Sequence, residues 1–208
     1  MLSYSVRDRY WCAFRRKSHR LLHLGYSEAL PKIRRHSPEE NISGIIEENC
    51  QNLLDRGLCF DPEFRDVRVK NEKPINGGKR FGKDRFKIDI IIHEPHQNKP
   101  PAVFAFEAKR LRTGTHGIGK YVGSEGVGCF LRGDYVTEMP EAAMIGYIQN
   151  QETAYWKDQL EVKLDQTIKP IKIIPEIQNE WISQHPRNTG NPISLYHIFL
   201  DCRPGEDV

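Results

Sequence analysis

The first part of the chain carries apolar residues at the spacing of an α-helix. Tyr10, Phe14 and Leu21 recur at intervals that place them on one helical face, so the sequence predicts a helix over residues 6–24. Pro31 and the basic segment that follows it interrupt the pattern. We therefore expect an N-terminal helix that ends before Pro31.

A second amphipathic helix is predicted immediately afterwards. Ser37 is a favoured N-cap residue, Pro38 suits the first turn, and Glu40 stands three positions after Ser37, as in a capping box. Gly57 is expected to end this helix. Its apolar stripe consists of Ile42, Ile45, Ile46, Leu53 and Leu54.

The pattern changes to strands in the middle of the chain. Val67 and Val69 alternate with charged residues, and two longer apolar runs follow, FKIDIIIH at 86–93 and VFAFEAK at 103–109. The segment between these runs is predicted to be a loop of about ten residues that makes them antiparallel neighbours. Further strands are predicted at residues 142–149, 171–174 and 195–201, with a helix that reaches about residue 167. This order indicates a mixed α/β sheet.

The composition is that of a soluble chain with one domain. Of the 208 residues, 38% are hydrophobic, which is enough for one core. The sequence contains no run of about 18 apolar residues, so no membrane segment is expected. The five cysteines are scattered and form no C-x-x-C pair, a pattern typical of reduced thiols in a cytoplasmic protein.

Positive charge is concentrated near the N-terminus, although the net charge of the chain is only +3. Over residues 15–36 the basic side chains are opposed by Glu28 alone. Two interpretations stay open for this segment. It forms either a solvated surface or a patch that contacts phosphate groups, in which Arg34 and Arg35 would take part.

Two of the predicted strands carry isolated charges in apolar surroundings. Glu107 and Lys109 lie two positions apart, so their side chains point to the same face. Asp89 stands among isoleucines in the preceding strand, where a carboxylate is costly to bury unless it is paired or binds a metal. If the strands pair, Asp89 shares a face with Glu107 and Lys109. Two convergent carboxylates suit Mg²⁺, and an ammonium group beside them can orient a water molecule.

The spacing Asp-x17-Glu-x-Lys resembles that of the PD-(D/E)XK nuclease superfamily. The matching residues are Asp89, Glu107 and Lys109, and Ile88 stands where the name of the family has a proline. The resemblance implies an α/β fold, a restriction-endonuclease-like mixed β-sheet flanked by helices. Its core is a helix followed by a three-stranded meander and then by a further helix and strand. This core would cover about residues 38–160.

The resemblance also implies how the chain is divided. Residues 1–36 would be a basic N-terminal helical extension, and residues 37–208 the nuclease-like domain. The family often adds an acid on its first core helix. Glu39 lies about 50° from the centre of the apolar stripe on a helical wheel and is the candidate here.

The activity implied by the resemblance is that of a metal-dependent DNA endonuclease. Asp89 and Glu107 would bind Mg²⁺, for which Mn²⁺ can substitute, and the carbonyl group of Ala108 would be a further ligand. Lys109 would position the attacking water, and Glu39 would support the metal or a second metal ion. A chain of this size would act on DNA as a homodimer or with a partner protein that supplies targeting. Defence against foreign DNA is a role in keeping with the family.

Two other functions stay open on the sequence. A nucleic-acid-binding or structural subunit of the same fold that does not cut would carry the same residues as a cross-strand ion network. Residues 114–120 fit the start of a P-loop of an NTPase, but Tyr121 replaces the metal-binding hydroxyl residue. Residues 114–133 are instead predicted to be a glycine-rich loop. It is either mobile beside the site, with Lys120 and Arg132 on phosphates, or a plain surface loop.

Overall fold

The computed structural model describes residues 6–58, 61–74, 87–96, 99–133, 139–187 and 191–203. Within these residues the chain is a mixed α/β protein, with one seven-stranded sheet flanked by helices. The helices are α1 (Val6–Ala29), α2 (Glu39–Asp55), α3 (Ile118–Val122), α4 (Val127–Arg132) and α5 (Thr153–Leu164). The strands are β1 (Arg68–Pro74), β2 (Lys87–His96), β3 (Lys99–Leu111), β4 (Glu141–Ile148), β5 (Lys169–Pro170), β6 (Glu180–His185) and β7 (Ile193–Asp201).

The sheet changes from antiparallel to parallel pairing at β3. Its strand order is β1-β2-β3-β4-β7-β6-β5. Strands β1, β2 and β3 form an antiparallel meander, β4 lies parallel to β3, and β7 lies parallel to β4. Helix α2 precedes the meander, while α3 and α4 lie in the connection from β3 to β4. The connection between the parallel strands β3 and β4 therefore contains two short helices that follow the end of β3.

Each face of the sheet has its own hydrophobic cluster, because successive strand residues point to opposite sides. On one face, Phe104 and Phe106 of β3 pack with Phe14 of α1 and Ile46 of α2. On the other face, Ala105 of the same strand packs with α3, α4 and α5. The predicted boundary at residue 36 thus separates two helices that share one core.

Helix α1 continues past the predicted end at residue 24 as far as Ala29, and Gly25 lies where it approaches α2 closely. A Cβ atom at Gly25 would lie 2.9 Å from the carbonyl oxygen of Ile46 and would also meet the Sγ atom of Cys50. A 3₁₀ turn over Leu30–Lys32 then ends the helical segment.

Helix α2 begins without the predicted side-chain cap. Its N-cap residue is Pro38, and its first residue is Glu39. The Oγ atom of Ser37 accepts a hydrogen bond from the backbone N–H of Arg34 at 2.9 Å instead. The predicted capping box is wrong, because the Ser37 hydroxyl group closes the turn before the helix. The Ser37 carbonyl group in turn accepts a hydrogen bond from the side chain of Gln149 at 2.9 Å, which attaches the start of α2 to the end of β4.

The predicted ten-residue loop between β2 and β3 is also wrong. The two strands pair as far as His96 opposite Lys99, with an irregularity after Glu94. Prolines in this segment suggest a loop, but these parts of β2 and β3 extend beyond their other neighbours. Strand β1 pairs with β2 only as far as His93, and β4 pairs with β3 only from Phe106 onward. Proline has no backbone N–H group to donate, and among the described residues no second neighbouring strand needs one here.

The second half of the chain contains three further differences. The stretch over residues 114–133 is not a plain loop, since it contains α3 and α4 and buries Tyr121 and Phe130. The strand predicted over residues 171–174 is wrong, and β6 was not predicted. Strand β6 buries the polar residue Glu180. The sequence of β6 therefore lacks the apolar alternation that predicts a strand.

Candidate active site

The ammonium group of Lys109 lies at the centre of a cluster at the end of β3. Its Nζ atom donates hydrogen bonds to Glu39 Oε1 at 2.9 Å, to Glu107 Oε1 at 2.9 Å and to the carbonyl oxygen of Ala108 at 2.7 Å. An ammonium group has three hydrogen atoms to donate. These three acceptors therefore satisfy Lys109 completely.

Strands β2 and β3 separate at this end of the sheet. Among the described residues, their antiparallel pairing ends where Ile90 lies opposite Phe106. Beyond that point, the backbone N–H groups of β3 donate hydrogen bonds to side-chain carboxylates in place of a neighbouring strand. The backbone N–H of Ala108 donates to Asp89 Oδ2 at 2.7 Å, and that of Arg110 donates to Glu39 Oε2 at 2.9 Å. Asp89 and Glu39 are thus bound to the main chain of β3.

Burial and the neighbouring charges shift the pKa values of Asp89 and Lys109 in opposite directions. Burial raises the pKa of Asp89 to about 6, although Lys109 and the N–H of Ala108 both favour its ionised form. Burial alone would lower the pKa of Lys109, but Glu107, Glu39 and Asp89 raise it above its usual value. Glu107 is only 4% exposed. A carboxylate so deeply buried needs the charge of Lys109 beside it.

The cluster borders an open cleft of about 370 Å³ between the start of α2 and the wall formed by α3. The cleft is lined by Glu39, Glu40, Lys109, Arg110, His116, Gly119, Lys120, Gly123, Ser124 and Glu125. Partial burial lowers the pKa of His116, and the charges of Arg110 and Lys120 act in the same direction. Glu39 and Glu40 thus lie on the α2 side of the cleft, while Lys109, Arg110 and Lys120 lie on the side of β3 and α3 together with Glu125.

The chemistry of the donor atoms fits a divalent cation. Oxygen atoms of Glu39, Glu107 and Ala108 converge within 2.9 Å of one positive centre, the Nζ atom of Lys109. Carboxylate and carbonyl oxygens are the ligands that Mg²⁺ prefers. Within the described residues, no three His, Cys, Asp or Glu side chains are grouped as a ready-made metal site. A metal ion at these oxygens therefore requires Lys109 to move aside.

The predicted phosphate contacts are dispersed. Lys120 lines the cleft, whereas Arg34 and Arg132 each donate a hydrogen bond to a nearby backbone carbonyl group, and Arg35 is exposed. Three basic residues of α1 form ion pairs with carboxylates elsewhere in the chain: Arg15 with Glu141, Lys17 with Glu94 and Arg20 with Glu63. Part of the N-terminal positive charge is thus neutralised within the fold.

Several residues that line the cleft were not predicted, among them Arg110 and His116. His116 follows a tight turn at the end of β3. Arg112 and His116 exchange two backbone hydrogen bonds of 2.9 Å each, and Gly114 lies between them with φ of 84°. A glycine flanked by threonines after a strand is the signal that could have predicted this turn.

The residue that follows Lys120 points away from the cleft. The Tyr121 side chain is buried, and its hydroxyl group donates to the carbonyl oxygen of Met144 at 3.1 Å and lies 3.0 Å from Nδ1 of His197. A P-loop needs a hydroxyl group at this position that faces a metal ion. The placement of Tyr121 therefore argues against an NTPase.

Comparisons with protein-family models, with curated proteins and with solved structures gave no match. In the part of the chain that the structure describes, no helix is long and apolar enough to cross a membrane. The site must therefore be interpreted from its own geometry.

Proposed function

We propose that this protein is a metal-dependent nuclease with a restriction-endonuclease-like fold, and that it hydrolyses phosphodiester bonds in DNA. The order of elements supports the proposal. Helix α2 precedes the antiparallel strands β1 to β3, short helices follow, and β4 lies parallel to β3. The same order is implied by the resemblance to the PD-(D/E)XK superfamily.

The observation that carries the proposal is the meeting of three acids from three elements at one end of β3. Glu39 comes from α2, Asp89 from β2 and Glu107 from β3, and all three act on the charge of Lys109. Buried ion networks contribute little to stability compared with well-packed apolar side chains. A site for hydrolysis explains why acids and an amine occupy this position beside an open cleft.

Each residue has a role in this function. The carboxylates of Asp89 and Glu107 and the carbonyl oxygen of Ala108 would hold the metal ion, and Glu39 would support it. When bound, Mg²⁺ supplies a Lewis acid and lowers the pKa of a coordinated water. Lys109 orients the attacking water and balances the negative charge that develops on the phosphate group.

A plasmid cleavage assay tests the proposal. We expect the wild-type protein to cut supercoiled DNA with Mg²⁺ or Mn²⁺ and to be inactive in EDTA. Asp89→Asn and Glu107→Gln should abolish cleavage, because each removes a negatively charged ligand. Asp158→Asn, a change at an exposed carboxylate of α5, is the matched control and should cut at the wild-type rate. A pure wild-type protein without metal-dependent cleavage of any DNA form would contradict the proposal.

The products of the same assay report on partners. A single copy of the site cuts one strand at a time, so a monomer should nick the plasmid before it is linearised. Direct linearisation would instead support a homodimer. If a second protein restricts cleavage to particular sites, that protein supplies targeting.

A second candidate is a nucleic-acid-binding subunit that does not cut. It is favoured by the complete satisfaction of Lys109 and by the binding of Asp89 to the N–H of Ala108 rather than to a shared metal position. In that case Mn²⁺ should not bind to the site. A crystal soaked in Mn²⁺ separates the two functions, since only the nuclease should show anomalous density between Asp89 and Glu107.

A further inference from the structure

Helix α3 contains a glycine that the fold does not require. A Cβ atom at Gly119 would meet no heavy atom within 4 Å, and the residue does not adopt the left-handed conformation that favours glycine. By contrast, a Cβ atom at Gly123 would lie 2.7 Å from the carbonyl oxygen of Gly119. Glycine is the least favourable residue in a helix after proline. Packing therefore explains Gly123 and leaves Gly119 unexplained.

Gly119 faces the cleft that holds the cluster of Lys109. Both residues are among those that line it, and Gly119 is exposed. The volume of about 370 Å³ lies at the lower end of the range for ligand sites. Such a space accommodates a short stretch of one polynucleotide strand.

The residue next to Gly119 offers a free positive charge. In the described part of the chain, the ammonium group of Lys120 has no hydrogen-bonding or ion-pair partner, and its side chain lines the cleft. The three hydrogen atoms of Lys109, in contrast, are all occupied. An anion that enters the cleft would therefore find an uncommitted cation on α3, beside Arg110 of β3, which also lines the cleft.

We infer that one polynucleotide strand crosses this cleft with its sugar–phosphate backbone against Gly119 and with a phosphate group on Lys120. The absence of a side chain at Gly119 lets the strand approach the main chain of α3 closely. This inference rests on the proposed function and adds to it the surface on which the substrate lies.

Substitutions at Gly119 test the inference because they separate size from stability. Alanine and leucine both favour helices more than glycine does, so Gly119→Ala and Gly119→Leu should melt at or above the wild-type temperature. Binding of fluorescein-labelled single-stranded and duplex oligonucleotides is measured by fluorescence anisotropy in EDTA, where no cleavage occurs. Gly119→Leu should raise Kd by about tenfold or more, and Gly119→Ala by less. A tenfold change corresponds to about 1.4 kcal/mol.

Gly117 provides a matched control, and Lys120 tests the phosphate contact. A Cβ atom at Gly117 also meets nothing within 4 Å, but this residue does not line the cleft, so Gly117→Ala should bind like the wild type. Lys120→Ala should reduce the slope of log K against log salt by about 0.7 on a single strand. In the Gly119→Leu background, Lys120→Ala should have no further effect, because the strand no longer reaches the lysine.

The outcomes distinguish this inference from the proposed function. Wild-type affinity in Gly119→Leu, or a wild-type protein that binds neither oligonucleotide, would overturn the inference. If Gly119→Leu binds like the wild type and the plasmid is still cut, only the inference fails. If Gly119→Leu binds more weakly while no variant cuts DNA with any metal, the strand surface stands and the hydrolytic function fails.

Discussion

The Nζ atom of Lys109 lies 2.9 Å from Oε1 of Glu39, although the two residues are 70 positions apart in the chain. This contact joins the first turn of α2 to the end of β3, where Glu107 accepts a second hydrogen bond from the same ammonium group. Lys109 is therefore the internal counterion of the acids that border the cleft. A metal ion bound there competes with Lys109 for the same oxygen atoms.

Replacement of Lys109 should separate metal binding from catalysis. In Lys109→Met the competing cation is gone, so Mn²⁺ should bind about tenfold more tightly, as measured by calorimetry. Cleavage should fall by a factor of about 100 or more, because the water and the developing charge lose their partner. Without metal the acids repel each other, so the melting temperature should drop, and Mn²⁺ should restore it.

Lys157→Met is the control for this experiment, because Lys157 forms an ion pair with Glu161 on the surface of α5. It should leave Mn²⁺ affinity and cleavage unchanged. A Lys109→Met protein that cuts DNA at the wild-type rate would show that Lys109 has no part in hydrolysis.

Asp89 should make the metal-free protein less stable as the pH rises. Burial raises the pKa of Asp89 to about 6 in the folded state, against about 3.9 in the unfolded chain. The folded state therefore holds the proton more tightly, and this contribution is complete below about pH 4 and is lost as the pH rises through about 6. Asp89→Asn should raise the free energy of unfolding by roughly 1–3 kcal/mol at pH 7 and by little at pH 4.

Urea denaturation in EDTA at the two pH values measures this difference. Asparagine retains an oxygen that can accept the hydrogen bond from the N–H of Ala108, so the comparison isolates the charge. Equal stabilisation at both values would mean that the carboxyl group of Asp89 titrates at its usual pKa.

The close approach of α1 to α2 should make Gly25→Ala destabilising. A methyl group there would meet the Sγ atom of Cys50 and lie 2.9 Å from the carbonyl oxygen of Ile46. We expect a loss of about 1–3 kcal/mol, since overpacking of a core costs this much. Thermal unfolding measures it, and Cys50→Ala in the same chain should recover part of the loss. Full wild-type stability of Gly25→Ala would mean that the helices separate without cost.

The basic residues near the N-terminus should differ in their effects according to their partners. Arg35 is exposed, so Arg35→Gln should make the salt dependence of DNA binding shallower by about 0.9 if it contacts a phosphate of duplex DNA. Arg15 pairs with Glu141 at 2.8 Å, so Arg15→Gln should lower the melting temperature instead. An unchanged salt slope in Arg35→Gln and in Arg34→Gln would mean that this segment is a solvated surface.

The sequence was sufficient to locate the candidate site because isolated charges in apolar strands stand out. Asp89, Glu107 and Lys109 were selected in this way. The family resemblance implied an acid on the first core helix, and the helical wheel selected Glu39 for it. The structure brings these four residues together, while their chemical roles remain predictions. The mixed sheet and its first helices were predicted from periodicity, since periods of two and of 3.6 residues can be recognised directly in the sequence.

Features that depend on pairing between distant segments could not be predicted. Asp89 can accept from the N–H of Ala108 because the pairing of β2 with β3 ends at Ile90 and Phe106, and nothing in either segment alone specifies that point. The prediction of the α2 cap was wrong for a different reason, which is local. The Ser37 hydroxyl group had a competing local partner in the N–H of Arg34, and propensity does not decide between two such bonds.

The carboxylates of Asp89 and Glu39 take the place of a missing strand neighbour, and this has a consequence for inactive forms of the protein. Alanine at either position would leave a main-chain N–H of β3 without its acceptor, so loss of chemistry would be confounded with damage to the sheet. Amide side chains are the better choice for trapping a complex with uncut DNA. By the same reasoning, a related chain without the proposed nuclease activity would be free to vary at Lys109, yet would still carry an oxygen-bearing side chain at positions 39 and 89.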